Sequence, residues 1–298
     1  MLKSLFKNKY SKWIFFLLLL VALGIADYYA HGYYNTHGYR GKIAEDKQDN
    51  EYRIACFGGS ITFGFWVEEN ESWPAQLQQI LPQNYSVVNL GANSQGIYGI
   101  SNDIDSYEYL NYDMAILYQG ETDKNPIALN DYDFRGSDPL FYAFGYKTIL
   151  GFYTQEFFRK AISKVVDSDK PEFKKESNTD SLKKELLTYT DQNNETAKAL
   201  LLQGKKPFKN YIEKLDEVLT KLTERKVHVA LVCQPNSYDL VQQILVRELI
   251  EKKFKNKVEY INLSDLFEDI NTVSFDGMHL KKEGYKMVAE KLKADLFK

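Results

Sequence analysis

Cysteine is nearly absent from this 298-residue chain: there are two, Cys56 and Cys233. Two are too few for a disulfide framework or for a four-ligand zinc site. Each sits in an apolar run that reads as a strand, so both read as buried inert thiols, with a structural disulfide as the alternative. Histidine is scarce as well, with four residues, and nothing forms a cluster with metal-ligand spacing, so no metal and no other cofactor is expected. An excess of positive charge is also lacking. The 38 Lys and Arg against 41 Asp and Glu leave a net charge of −3, and without a basic field to hold a phosphate backbone, nucleic acid is not expected as a partner. No internal repeat is visible. What the chain does have is apolar material, 44% of its residues, and an aromatic content carried by 22 Tyr and 18 Phe. That suits one globular domain with a sizeable core.

The N-terminus is the first informative stretch. Lys3, Lys7, Lys9 and Lys12 precede an uninterrupted apolar run over 13–26. The run is short for a bilayer span, which needs about 17–25 residues, and has the length of a signal-peptide core. Trp13, Tyr28, Tyr29, Tyr33 and Tyr34 rim it, and such side chains favour the headgroup zone. Residues 1–30 therefore read as an uncleaved membrane anchor, or else as a cleaved signal. With the lysines before the span, the N-terminus is expected in the cytoplasm and the rest of the chain outside it, periplasmic or at the cell surface. Residues 31–50, polar and rich in Tyr, Gly, His and Asp, read as a stalk.

Beyond the stalk, short apolar runs alternate with helical patterns. Strands are expected at YRIACFGGS, whose glycines read as a tight turn after the strand, and at YSVVNLG, MAILYQG, VHVALVCQ and VEYINL. Helices are expected over 71–83, with Pro74 in the first turn, over 208–225, 240–254 and 281–297. A long interruption over about 125–207 begins with an aromatic segment, 139–158, which reads as a helix packed on the core or roofing a pocket, or else as a surface helix that lies against a membrane or grips an acyl chain. It continues through a charged run that reads as a solvated surface insertion. Strands of four to eight apolar residues between helices are the signature of a parallel, doubly wound α/β sheet, whose sites lie at the carboxyl ends of the strands. Three strand ends carry small or polar clusters there: Gly58-Gly59-Ser60, Gly91-Ala92-Asn93 and Gly120-Glu121-Thr122-Asp123.

Cleaving an ester needs a nucleophile, a base touching it, a group orienting the base, and donors for the developing oxyanion. His31 and His37 lie in the stalk, and His228, flanked by valines, reads as a structural histidine. That leaves His279, three residues after Asp276, so that one short loop presents both groups ahead of the last helix. Ser60 follows a strand and two glycines, at a turn where a missing Cβ lets a substrate approach the backbone. A serine there also serves as a helix cap.

Taken in order, four blocks resemble the SGNH/GDSL hydrolases: FGGSITFG, VVNLGANSQG, LYQGETD and DGMHLKKEGYKMVAEKL. The resemblance runs over residues 51–297 outside the insertion. It implies a flavodoxin-like, three-layer fold with a parallel five-stranded sheet in the order 2-1-3-4-5, preceded here by the expected transmembrane helix. On that order the strands of Cys56 and Cys233 flank a third, which implies two free thiols. The resemblance also implies a catalytic triad of Ser60, Asp276 and His279, with oxyanion donors at Ser60 and Gly91. The family's third-block Asn is replaced by Thr122, whose hydroxyl is a shorter donor, so Asn93 or Gln119 become candidate auxiliary donors. Glu121 completes a Q-G-E run similar to that of carbohydrate acetylesterases. The implied activity is acyl transfer through an acyl-enzyme on Ser60, acting on an O-acyl, chiefly acetyl, ester of a carbohydrate or lipid. The same triad also fits an O-acyltransferase, and the Thr122 replacement also fits a catalytically weak glycan-binding domain.

Overall fold

A computed structural model describes residues 9–93, 95–118, 206–233, 240–263 and 266–298. Five strands form one sheet: β1 (Tyr52–Gly58), β2 (Tyr85–Asn89), β3 (Met114–Tyr118), β4 (His228–Val232) and β5 (Val258–Ile261). All neighbours are parallel, in the order β2-β1-β3-β4-β5, the order that the resemblance implies. The helices are α1 (Lys9–His31), a single turn α2 (Ser60–Phe63), α3 (Trp73–Ile80), α4 (Ile97–Ser106), α5 (Lys206–Glu224), α6 (Leu240–Leu249) and α7 (Lys282–Leu296).

The sheet is buried on both faces, and β1 shows why its sequence has no polar alternation. Ala55 and Phe57 face one core, with Ile97, Ile100 and Ile104 of α4 and Leu215, Leu219 and Leu222 of α5. Ile54 and Cys56 face the other, with Trp73 and Leu77 of α3 and Tyr285, Val288 and Leu292 of α7. A strand covered by helices on both sides is apolar along its middle, here from Ile54 to Phe57, with the charged Arg53 at its amino end. Both cysteines are buried free thiols, and β3 lies between their strands.

The strand and helix ends fall inside the expected limits, except that α5 begins at Lys206, ahead of the expected start at 208. Helix α3 starts only at Trp73 because a 3₁₀ turn, Glu69–Glu71, precedes it, with Ser72 at the N-cap and Pro74 in the first turn. Helix α4 has no counterpart in the expectations. Gly99, Asn102 and two aspartates dilute its pattern, yet its isoleucines recur at helical spacing and are fully buried.

Two expectations at the N-terminus are corrected. Among the described residues no helix is long and apolar enough to cross a membrane, since the apolar run inside α1 stops at residue 26. Within α1, the side chains of Trp13 to Leu20 are all exposed. The stretch read as a stalk is packed onto the domain. Tyr39 is fully buried and Arg40 is 3% exposed. Tyr39 Oη accepts the Ala44 N–H (2.7 Å), and Tyr107 Oη donates to the His37 carbonyl (3.0 Å). At the opposite edge, Arg53 ties Glu51 (2.7 Å) to the carbonyls of Leu110 (3.0 Å) and Glu45 (2.8 Å). Polar composition hid this because each side chain is satisfied by backbone atoms distant in sequence. The aromatic segment 139–158, the charged run and the rest of the insertion up to residue 205 lie outside the described residues.

Candidate active site

Ser60 stands where β1 ends and the turn α2 begins, at the carboxyl edge of the sheet. Two glycines make this junction possible. A Cβ on Gly58 would lie 2.1 Å from Thr62 Oγ1 and 2.3 Å from the Tyr118 carbonyl oxygen, so only glycine lets the strand turn back against β3. A Cβ on Gly91, after β2, would lie 2.3 Å from the Phe63 amide nitrogen, so the second block's glycine is what lets α2 sit directly on β2's end. The turn is closed by amides of Gly64 and Phe65 donating to the Ser60 carbonyl (both 3.0 Å), and Gly64 takes a left-handed conformation, φ 84°.

His279 and Asp276 come from one tight loop. The Phe275 N–H donates to the His279 carbonyl (2.8 Å) and the Gly277 N–H to Ser274 Oγ (3.0 Å), while Gly277 supplies φ 82°. Inside this loop Asp276 Oδ1 accepts the amides of Met278 (3.0 Å) and His279 (2.7 Å), and Asp276 Oδ2 accepts from His279 Nδ1 at 2.7 Å. The other ring nitrogen, Nε2, is 2.9 Å from Ser60 Oγ. The network sets the tautomer: with the proton on Nδ1 held by the carboxylate, Nε2 is left to accept from the serine hydroxyl. Burial pushes the Asp276 carboxyl upward, but the bonds from the His279 ring and from the two amides outweigh it and hold the group below its ordinary range. Asp276 is therefore a carboxylate that orients an imidazole. Ser60 is half-buried, so a substrate can reach it, while His279 is 9% exposed. Hydroxyl, imidazole and carboxylate thus stand in one hydrogen-bonded line, the arrangement required of a serine nucleophile.

The remaining predicted positions fare differently. The Gly91 N–H donates to Asn89 Oδ1 (3.0 Å) and reaches an oxyanion only by giving up that bond. The Asn93 N–H donates to Tyr34 Oη (3.3 Å). Thr122, Gln119 and Glu121 lie outside the described residues. His228 stands at the other end of the sheet, its Nε2 2.5 Å from Glu259 Oε1.

Several residues at the site escaped sequence reasoning. Asn89 closes β2, and its side chain accepts the Gly91 N–H and ties the strand to α2 by donating to the Phe63 carbonyl (3.4 Å). Its place at the polar end of an apolar strand is a usable signal. Arg40 gave none. Its guanidinium donates to the carbonyls of Phe63 (2.6 Å), Gly64 (2.5 Å) and Val67 (2.6 Å), and lies 4.6 Å over the Phe63 ring. Phe65 and Trp66 lie against His279, at 5.2 and 5.1 Å between ring centres.

No family model and no curated protein matches the chain. Among solved structures it is similar to a putative lipolytic protein of the G-D-S-L family from Desulfitobacterium hafniense, at 15% identity over 82% of this chain and 99% of that one, with a TM-score of 0.46. A member of the lipolytic protein G-D-S-L family from Veillonella parvula is similar at 14% identity over 82% and 98%, with a TM-score of 0.46. A carbohydrate acetylesterase family member from Sinorhizobium meliloti is similar at 14% identity over 82% and 96%, with a TM-score of 0.42. The structural neighbours are thus GDSL-type esterases, but at overlaps too low to carry a functional argument, which rests on the site itself.

Proposed function

We propose that the protein is a serine esterase that cleaves an O-acyl, chiefly acetyl, ester of a carbohydrate or lipid through an acyl-enzyme on Ser60. The observation that carries this is the 2.9 Å approach of His279 Nε2 to Ser60 Oγ, with Asp276 behind the ring at 2.7 Å. His279 takes the hydroxyl proton as Ser60 Oγ attacks the ester carbonyl. Asp276 stabilises the imidazolium so formed. The tetrahedral oxyanion is met by the Ser60 N–H, with Gly91 joining when it exchanges its bond to Asn89, and with Thr122 as a side-chain donor. His279 then protonates the leaving alkoxide. A water, deprotonated by the same nitrogen, releases the acid and restores the serine.

The exposed apolar side chains of α1 and the lysines before them support attachment of the protein to a membrane surface through α1. Turnover of aryl esters of rising acyl length, by wild type and Ser60→Ala, tests the enzymatic reading. Wild type is expected to prefer the shortest acyl group, and Ser60→Ala to lose about 10⁴-fold or more in kcat. Equal turnover by both proteins would refute the assignment.

A further inference from the structure

We propose that Trp66, with Phe275, forms the subsite for the alcohol half of the ester, and that it selects a pyranose ring there. The inference rests on the esterase reading for its chemistry, and on three further observations for its place. First, the alcohol must leave on the side of His279 Nε2, because that nitrogen returns the proton to the departing oxygen. The rings packed on His279 are Phe65 and Trp66, and Phe275 stands 5.7 Å from Trp66 at 80°. Phe65 and Trp66 are thus the rings on the imidazole that returns this proton, and Phe275 extends them outward through Trp66.

Second, the outer two rings are uncovered. Trp66 is 56% and Phe275 51% exposed, whereas Trp73, a structural tryptophan, is fully buried. Third, Trp66 is held open against its own backbone preference. It has φ 69°, a region that a bulky side chain rarely occupies and that is retained only where the surroundings enforce it. The enforcement is visible: Arg40 grips the carbonyls of Phe63, Gly64 and Val67 on both sides of it. A conformation that is costly, clamped and aimed outward beside the proton-transfer atom is the mark of a residue kept for contact with a substrate.

The shape of the corner indicates the class of alcohol. Two apolar rings set near a right angle, each about half exposed, offer a floor and a wall. A pyranose fits such a corner: its C–H face packs on a flat aromatic surface and its hydroxyl edge stays solvated. A flexible aliphatic chain gains less from a flat, half-open corner than from an enclosed channel.

The test compares ethyl acetate with methyl 6-O-acetyl-glucopyranoside, which share the acetyl group and a primary alkoxide leaving group. In Trp66→Gly the ratio of kcat/KM for the sugar ester over ethyl acetate is expected to fall about 10-fold, carried by KM. The melting temperature should hold or rise, since glycine adopts φ 69° freely, and Trp66→Phe should restore part of the preference. A fall in melting temperature with an unchanged ratio would make Trp66 structural and overturn the proposal. Binding is read separately by titrating Ser60→Ala with the acetylated glucoside and following the heat of binding by calorimetry. A saturable change, lost in Ser60→Ala/Trp66→Gly, supports the subsite even if wild type hydrolyses no ester, in which case the esterase reading alone fails. Turnover of both esters with no sugar preference and no saturable titration leaves the esterase standing and removes the subsite.

Discussion

At the scale of single residues, Asp276 shows how one side chain serves fold and chemistry together. One of its oxygens builds the loop by accepting two amides, and the other fixes the imidazole. Asp276→Asn is informative because it separates the two. An amide oxygen still accepts the backbone N–H groups, so the loop and the melting temperature should survive. Its NH₂, however, faces His279 Nδ1 and favours the tautomer with the proton on Nε2, which cannot accept from Ser60. A loss of about 10²–10⁴-fold in kcat with little change in KM is expected from steady-state kinetics. Because the Asp276 carboxyl titrates below its ordinary range, its hold on the loop is present above the unfolded value and is lost only as pH falls through the lowered folded one.

At the scale of elements, the nucleophile turn α2 is too short to stabilise itself. It is seated from below by β2 through Gly91 and Asn89, and capped by Arg40 at the carbonyls that a helix end leaves unpaired. The cap is buried, and burial pulls the Arg40 guanidinium below its ordinary value, so its removal strands three carbonyls where water does not easily replace it. Arg40→Ala is expected to cost at least about 2 kcal/mol by chemical denaturation. It should also lower kcat, because the turn that carries Ser60 is freed. An intact kcat at reduced stability would show that α2 holds its geometry without the clip. The segment around Arg40 lies in the stretch expected to be a stalk, and it closes the loop after Ser60 from outside.

At the scale of the whole molecule, the two sheet edges are held by different means. The carboxyl edge carries the proposed catalytic residues and is fastened by Arg40 and the Asp276 loop. The amino edge is fastened by ions: Lys47 to Asp113 (2.6 Å), and Arg53 to Glu51 (2.7 Å) with Ser86 donating to the same Glu51 oxygen. Burial raises the Glu51 carboxyl, but its bonds from Arg53, Ser86 and the Gln48 amide bring it down to about 2 from an ordinary 4.5. A depressed carboxyl contributes stability that is complete above its unfolded value and fades as pH falls from about 4.5 towards 2. In Glu51→Gln that contribution is missing throughout. Wild type is therefore expected to exceed the variant by about 1–2 kcal/mol near neutrality, after allowance for solvent screening. The gap should close as the pH of denaturation approaches 2, and a constant gap across that range would assign the loss to packing instead of charge.

Much of this protein was decided by its sequence alone. Apolar runs fixed the central strands β1, β3 and β4, because the middle of a sheet covered on both faces tolerates little polar alternation, and the spacing of apolar residues fixed α3, α5, α6 and α7. Gly58-Gly59-Ser60 and the Asp276–His279 loop were legible because each is local: a turn needing glycine, and two partners three residues apart. What only the tertiary structure decided is everything in which a side chain answers to backbone far along the chain. Arg40 satisfies carbonyls more than twenty residues away, Gly91 is glycine because the Phe63 amide lies against it, and Trp66 stands open because its loop is clamped from outside. A backbone carbonyl in need of a donor leaves no trace in the one-dimensional code, so residues that serve such needs become visible only once the chain has closed around them.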